Sequence, residues 1–127
     1  MSKQRAKGTS FETDAVNFLK ENGFNYVYRP ATSGAKDSGD INGIKRPFTM
    51  LTDGRQTIIQ CKNEAKFNLS GSLNDAVAQA TQDAVGGNAL PVLLQKRPRV
   101  GIKNFGDTYA VLRFSDLIQL LKDAGYQ

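Results

Sequence analysis

An α/β unit, ordered as helix, about three strands, helix, one or two strands and a closing helix, is what this 127-residue sequence predicts. Three observations lead there. Apolar residues recur at helical spacing in two separated stretches, short apolar runs of strand length lie between and after them, and no repeat, linker or low-complexity block divides the chain. With 39% apolar residues, the chain has the size and make-up of one domain spanning 1–127, with residues 1–7 as a short basic arm.

In the first helical stretch, "TSFETDAVNFLKENG", Phe11, Ala15, Phe18 and Leu19 share a face and Gly23 is the stop. "FNYVYR" then alternates Phe24, Tyr26 and Tyr28 as a strand would, and a turn-rich stretch becomes strand-like around Asp40 and Ile41. Its glycines fit neither the dinucleotide nor the nucleoside-triphosphate fingerprint. After the "DGR" turn comes the strand "QTIIQCKN". Leu73, Ala76, Val77, Ala80 and Ala84 form the stripe of a helix starting near Ser72 and ending at Gly86-Gly87. "LPVLLQ" and "YAVLR" read as further strands, and "SDLIQLLKDAG" as the last helix, its apolar face either core or interface.

Composition removes several chemistries. The chain has no His and one Cys, so Ser-His and Cys-His nucleophile systems and zinc sites are excluded, leaving carboxylates, amides, lysine or a hard cation for any hydrolysis. A lone Cys61, no apolar run of membrane length and no secretory signal lead us to expect a reducing, cytoplasmic setting without a membrane. A net charge of +5 favours an anionic partner.

Four polar residues interrupt these elements. Glu12 borders the apolar stripe of the first helix, Asp40 opens a strand, and Gln60 and Lys62 share one face of "TIIQCKN" where a core strand would continue apolar. Two carboxylates with an amide oxygen suit magnesium, and a nearby lysine can orient a water or stabilise charge growing on a phosphate.

In these residues the sequence resembles the PD-(D/E)XK nuclease superfamily, and within it the archaeal-type and phage Holliday junction resolvases. The similar residues are Lys7-Gly8, Glu12, Gly23-Phe24, Arg29, Ser33-Gly34, Asp40-Ile41 and Ile58 to Lys62, with a weaker match through the next helix to Pro91 and Lys96. The resemblance implies a restriction-endonuclease-like fold, a central mixed β-sheet flanked by helices, and a single nuclease-like domain. It also implies a homodimeric, structure-selective DNA endonuclease that hydrolyses phosphodiesters with a magnesium-activated water, manganese substituting. Catalytic roles pass to Glu12, Asp40, Gln60 and Lys62, and magnesium ligation to Glu12, Asp40, Gln60 and the carbonyl of Cys61. DNA contacts are expected, from the grouping of charge rather than from the resemblance, at Lys7, Arg29, Ser33, Lys36, Arg97 and Arg99 if these share a face with the site. The departure is Gln60, where the family usually has an acid: the site loses one negative charge. Glu64 would compensate only if the strand extended that far.

The site makes a demand on register. A tight hairpin centred on Asp53-Gly54 would set Gln60 opposite Pro47 and leave Asp40 about 20 Å along the strand. The reading therefore requires a wide connection across Lys45 to Arg55, or a bulge near Pro47.

Structural readings compete residue by residue. Thr9 and Glu12 fit a T-x-x-E capping box, Asp40 after Ser38-Gly39 suits a turn, and Gln60 with Lys62 suits an edge-strand face. Cys61 is expected to turn inward as a small hydrophobe. The basic residues, Lys3, Arg5, Lys7, Arg29, Lys36, Lys96, Arg97, Arg99 and Lys103, are expected to meet phosphates rather than bases, and the Tyr and Phe residues to be core. A binding module that has lost its chemistry, a nuclease for nicked, flapped or linear duplex DNA, and a basic structural or ribosome-associated protein remain open at this stage.

Overall fold

In the computed structural model, residues 3–30, 40–46, 48–50, 52–84 and 88–127 are described. Helix α1 (Lys3–Glu21) precedes strand β1 (Asp40–Lys45), a two-residue pair β2 (Phe48–Thr49) and β3 (Thr52–Asp53), and strand β4 (Gln56–Lys62). Helix α2 (Leu69–Asp83), strand β5 (Ala89–Gln95), a 3-10 segment (Ile102–Asp107), strand β6 (Tyr109–Val111) and helix α3 (Phe114–Asp123) follow. The main sheet runs β1-β4-β5-β6, antiparallel at both edges and parallel between β4 and β5, so it is mixed and flanked by helices as the resemblance implied.

Alternation along β4 separates two layers. Ile59 and Cys61 join Phe11, Ala15, Val27, Ile41 and Phe105 in the α1 layer. Ile58, Gln60 and Lys62 take the opposite face, against α2. There Ala76, Ala80 and Ala84 are buried, and their small side chains let the helix approach the strands closely. Asn68 caps α2, its Oδ1 accepting from the Gly71 N–H at 3.2 Å, so this helix starts before Ser72.

Several expectations need correction. α1 begins at Lys3, so residues 3–7 form its first turns rather than an arm, and Thr9 with Glu12 lies inside the helix, where no capping box can form. Its C-terminus does stop at Gly23, whose φ of +96° closes a cap in which Phe24 N–H donates to the Leu19 carbonyl and Gly23 N–H to that of Lys20. "FNYVYR" is no strand, since only Tyr28 bridges to Asn42. Phe24, Tyr26 and Tyr28 are exposed and Val27 is the buried residue, so the aromatics of this stretch are not core. Phe67, Tyr109, Phe114 and Tyr126 are exposed as well, whereas Phe11 and Phe105 are buried.

The connection between β1 and β4 is irregular in the way the site requires. Asp40 pairs with Gln60 and Ile41 with Ile59, then the register slips by one before Ile44 pairs with Thr57 and Lys45 with Gln56. The slip is a bulge at Asn42-Gly43, not at Pro47, which lies outside the described residues. Gly43 has φ +97°, and a side chain there would collide with the Tyr26 carbonyl, so only glycine fits. Past Lys45 the chain makes the separate β2–β3 pair before β4 begins, which is the wide connection.

Candidate active site

The register sets Asp40 directly across from Gln60. Opposed residues of an antiparallel pair share a face and stand about 4.5–5.5 Å apart at Cα. Asp40 is 1% exposed and Gln60 8%. Lys62 lies two residues further along β4, again on the Gln60 face. Its ammonium is 3.7 Å from Asp75 Oδ2 on α2, and its carbonyl accepts from Lys96 N–H at 3.0 Å and from Gln95 Nε2 at 3.3 Å. The strand end bearing Lys62 is thus anchored from β5, while its side chain is oriented from α2.

Glu12 comes from the α1 layer and is 4% exposed. Arg29 Nη2 lies 2.5 Å from Glu12 Oε2, an ion pair that offsets the cost of burying the carboxylate. The Cys61 thiol feels the charge of several of these groups. Burial, then the Glu12 charge, then that of Asp40, push it well above its ordinary range, and Arg29 pulls the other way. Both carboxylates and the guanidinium therefore act on the residue between Gln60 and Lys62. The thiol itself stays neutral and buried, which leaves the main-chain carbonyl as the donor Cys61 can offer a hard cation.

Glu12, Asp40 and Gln60 are buried polar residues whose carboxylate and amide oxygens are donors of the hard type that a small divalent cation prefers. Among the described residues no group of three or more His, Cys, Asp or Glu side chains is placed to hold a metal ion. Glu64 does not compensate, because β4 ends at Lys62 and Glu64 is exposed beyond it.

A cleft of about 440 Å³ lies beside the ends of β4 and β5, lined by Asn63, Glu64, Lys96, Arg97 and Arg99. Lys96 Nζ donates to the Val100 carbonyl and sits 5.7 Å from the Phe11 ring centroid, one residue from Glu12. Arg97 stacks over Tyr109 at 4.9 Å and donates to the Asp107 carbonyl, so it is held in place. Arg99 is exposed with φ 65°, a left-handed conformation that residues other than glycine adopt at some cost. Of the other expected DNA contacts, Ser33 and Lys36 lie outside the described residues, as does the Lys7 side chain.

Sequence reasoning missed Asp75 and Gln95. Asp75 belongs to no spacing pattern and meets Lys62 only through the packing of α2 on β4. Gln95 carried a usable signal, since it ends the apolar run of β5 as Gln60 interrupts that of β4, and it is fully buried.

Compared with known proteins, residues 3–127 match the family model described as "Phage putative PDDEXK endonuclease". No curated protein and no solved structure matches the chain.

Proposed function

Because the chain belongs to this phage PDDEXK endonuclease family, and is thereby a nuclease, we propose that it is a magnesium-dependent, structure-selective DNA endonuclease of the Holliday junction resolvase type. The observation that carries the reading is the bulged register that opposes Asp40 to Gln60, with Lys62 two residues on; Glu12 is buried in the α1 layer, where its charge acts on the intervening Cys61. A divalent cation held by Glu12, Asp40, Gln60 and the Cys61 carbonyl would supply Lewis-acid stabilisation and a more acidic water. The chain's own groups do the rest. Lys62, steered by Asp75 and anchored through its backbone, stabilises charge on the attacked phosphate and orients the water. Lys96, Arg97 and Arg99 hold flanking phosphates without reading bases, which suits recognition by shape. We further propose a two-fold dimer. In support, Phe114, Leu117, Ile118 and Leu121 leave an apolar face of α3 exposed, and a symmetric pair of sites matches a junction's paired strands.

The test is cleavage of a four-way junction and of linear duplex with magnesium, beside Asp40→Asn and Lys62→Ala. Metal-dependent cutting of the junction in preference, lost by about 10³-fold in either variant, supports the reading. Junction binding without any cutting by the parent protein would favour a binding module instead. The neutral Gln60 and the guanidinium on Glu12 are the features that favour this second reading. Equal cutting of both DNAs would move the substrate to ordinary duplex.

A further inference from the structure

The pair formed by Arg29 and Glu12 bears on when the site can accept a cation. Glu12 is the more deeply buried partner, and its carboxylate is already neutralised at 2.5 Å. With Gln60 uncharged, the charged groups acting on Cys61 are two carboxylates and one guanidinium, so a divalent cation approaching the free protein meets a site with half of its negative charge cancelled. The Arg29 side chain is nevertheless 32% exposed, so its guanidinium can be approached from solvent. A guanidinium binds phosphate as readily as carboxylate, in the same two-pronged geometry.

Resting on the nuclease reading above, we propose that Arg29 makes cation binding conditional on DNA: it neutralises Glu12 in the free protein, and a DNA phosphate draws it off, releasing the carboxylate to the cation. Arg29 is then a positioning residue acting through Glu12. It restrains cutting until the backbone is seated. Linkage requires the effect to be reciprocal, so that the cation tightens DNA binding by the factor by which DNA tightens cation binding, typically about 5- to 150-fold for coupled sites. An ion pair that merely orients Glu12 predicts the opposite sign, because loosening the carboxylate would weaken cation binding.

Manganese binding, followed by titration calorimetry, separates these. Without DNA, Arg29→Gln, which keeps one hydrogen-bond donor for Glu12 but removes the charge, is expected to bind Mn2+ at least about fivefold more tightly than the parent. Arg29→Lys, which keeps the charge, is expected to stay near the parent value. In a Lys62→Met background, used so that the DNA survives, a four-way junction is expected to tighten Mn2+ binding by at least about fivefold, and Arg29→Gln to remove most of that gain. Affinity in Arg29→Gln equal to or below the parent's would overturn the proposal, and so would the absence of any gain from DNA in Lys62→Met. That last arm decides alone if thermal melting shows Arg29→Gln unfolded. Cutting by the parent without this coupling would sink only the role of Arg29, whereas no Mn2+ binding in any protein together with no cutting would sink the nuclease reading as well.

Discussion

Helix α1 has a weaker apolar stripe than α3, yet α1 buries Phe11, Ala15 and Glu12 while α3 buries none of its residues. The reason is topological. α1 lies over β4, where Ile59 and Cys61 wait for cover, and its Phe11 and Phe18 rings pack on Phe105 at 5.7 and 5.4 Å. α3 follows the three-residue edge strand β6 and is tied to the rest of the molecule through Asp123, which meets Arg46 at 2.6 Å and Arg55 at 3.2 Å. An amphipathic pattern states which residues share a face, and the neighbouring elements decide whether that face is covered. The buried helix is also the one that brings a carboxylate to the strand ends, because a charge becomes chemically potent where water is scarce.

The same substitution on the two helices is the sharpest way to break this contrast. Phe11→Ala is expected to cost about 3–5 kcal/mol, whereas Phe114→Ala, on an exposed ring, is expected to stay within about 0.5 kcal/mol, both read by denaturant unfolding at protein concentrations low enough to keep the chain monomeric. Comparable losses in the monomer would mean that α3 is packed in solution as α1 is. Next in size is Gly43→Ala, which forces a side chain into a φ of +97° and against the Tyr26 carbonyl. It should cost about 3 kcal/mol in calorimetric melting and lower nuclease activity by disturbing the Asp40–Gln60 register. A stable Gly43→Ala protein with full activity would show that the bulge does not set the site.

A gain is expected at Gln60. Gln60→Glu adds a third carboxylate beside Asp40 and Glu12, so the metal-free protein should melt lower at neutral pH through like-charge repulsion, while magnesium should bind on the order of tenfold more tightly. Unchanged magnesium affinity would place the cation elsewhere. The smallest effect belongs to Cys61. Its folded thiol stays protonated where the unfolded thiol, with an ordinary value of 9.0, ionises. Below that pH both states hold the proton and Cys61 contributes no slope. Above it the unfolded state binds fewer protons, so stability falls as pH rises, and Cys61→Ala should flatten that fall in urea titrations run at increasing pH.

Much of the placement of the proposed site residues was legible in the sequence because its grammar is local. Gln60, Cys61 and Lys62 sit in one strand whose period places them on known faces, and the demand for an irregular connection followed from counting residues between Asp40 and Gln60. The place of the bulge was harder to read, since Gly43 is required by a carbonyl of Tyr26, a contact absent from any linear pattern. "FNYVYR" misled for a related reason: its alternation is that of a strand, but only Tyr28 finds a partner, and the aromatic face meets solvent. Asp75, Gln95 and the pairing of Arg29 with Glu12 arise from how α1, α2 and β5 pack on β4, so no spacing within a single element announces them.

The central claim is that Glu12, Asp40 and Gln60 together hold a divalent cation at the β1–β4 seam. Anomalous diffraction from a crystal soaked in Mn2+ tests it most directly. The account predicts a peak within coordination distance of the Asp40 and Glu12 carboxylates and the Gln60 amide oxygen, absent from Asp40→Asn crystals treated alike. A peak bound by other residues, or one that survives in Asp40→Asn, would contradict it.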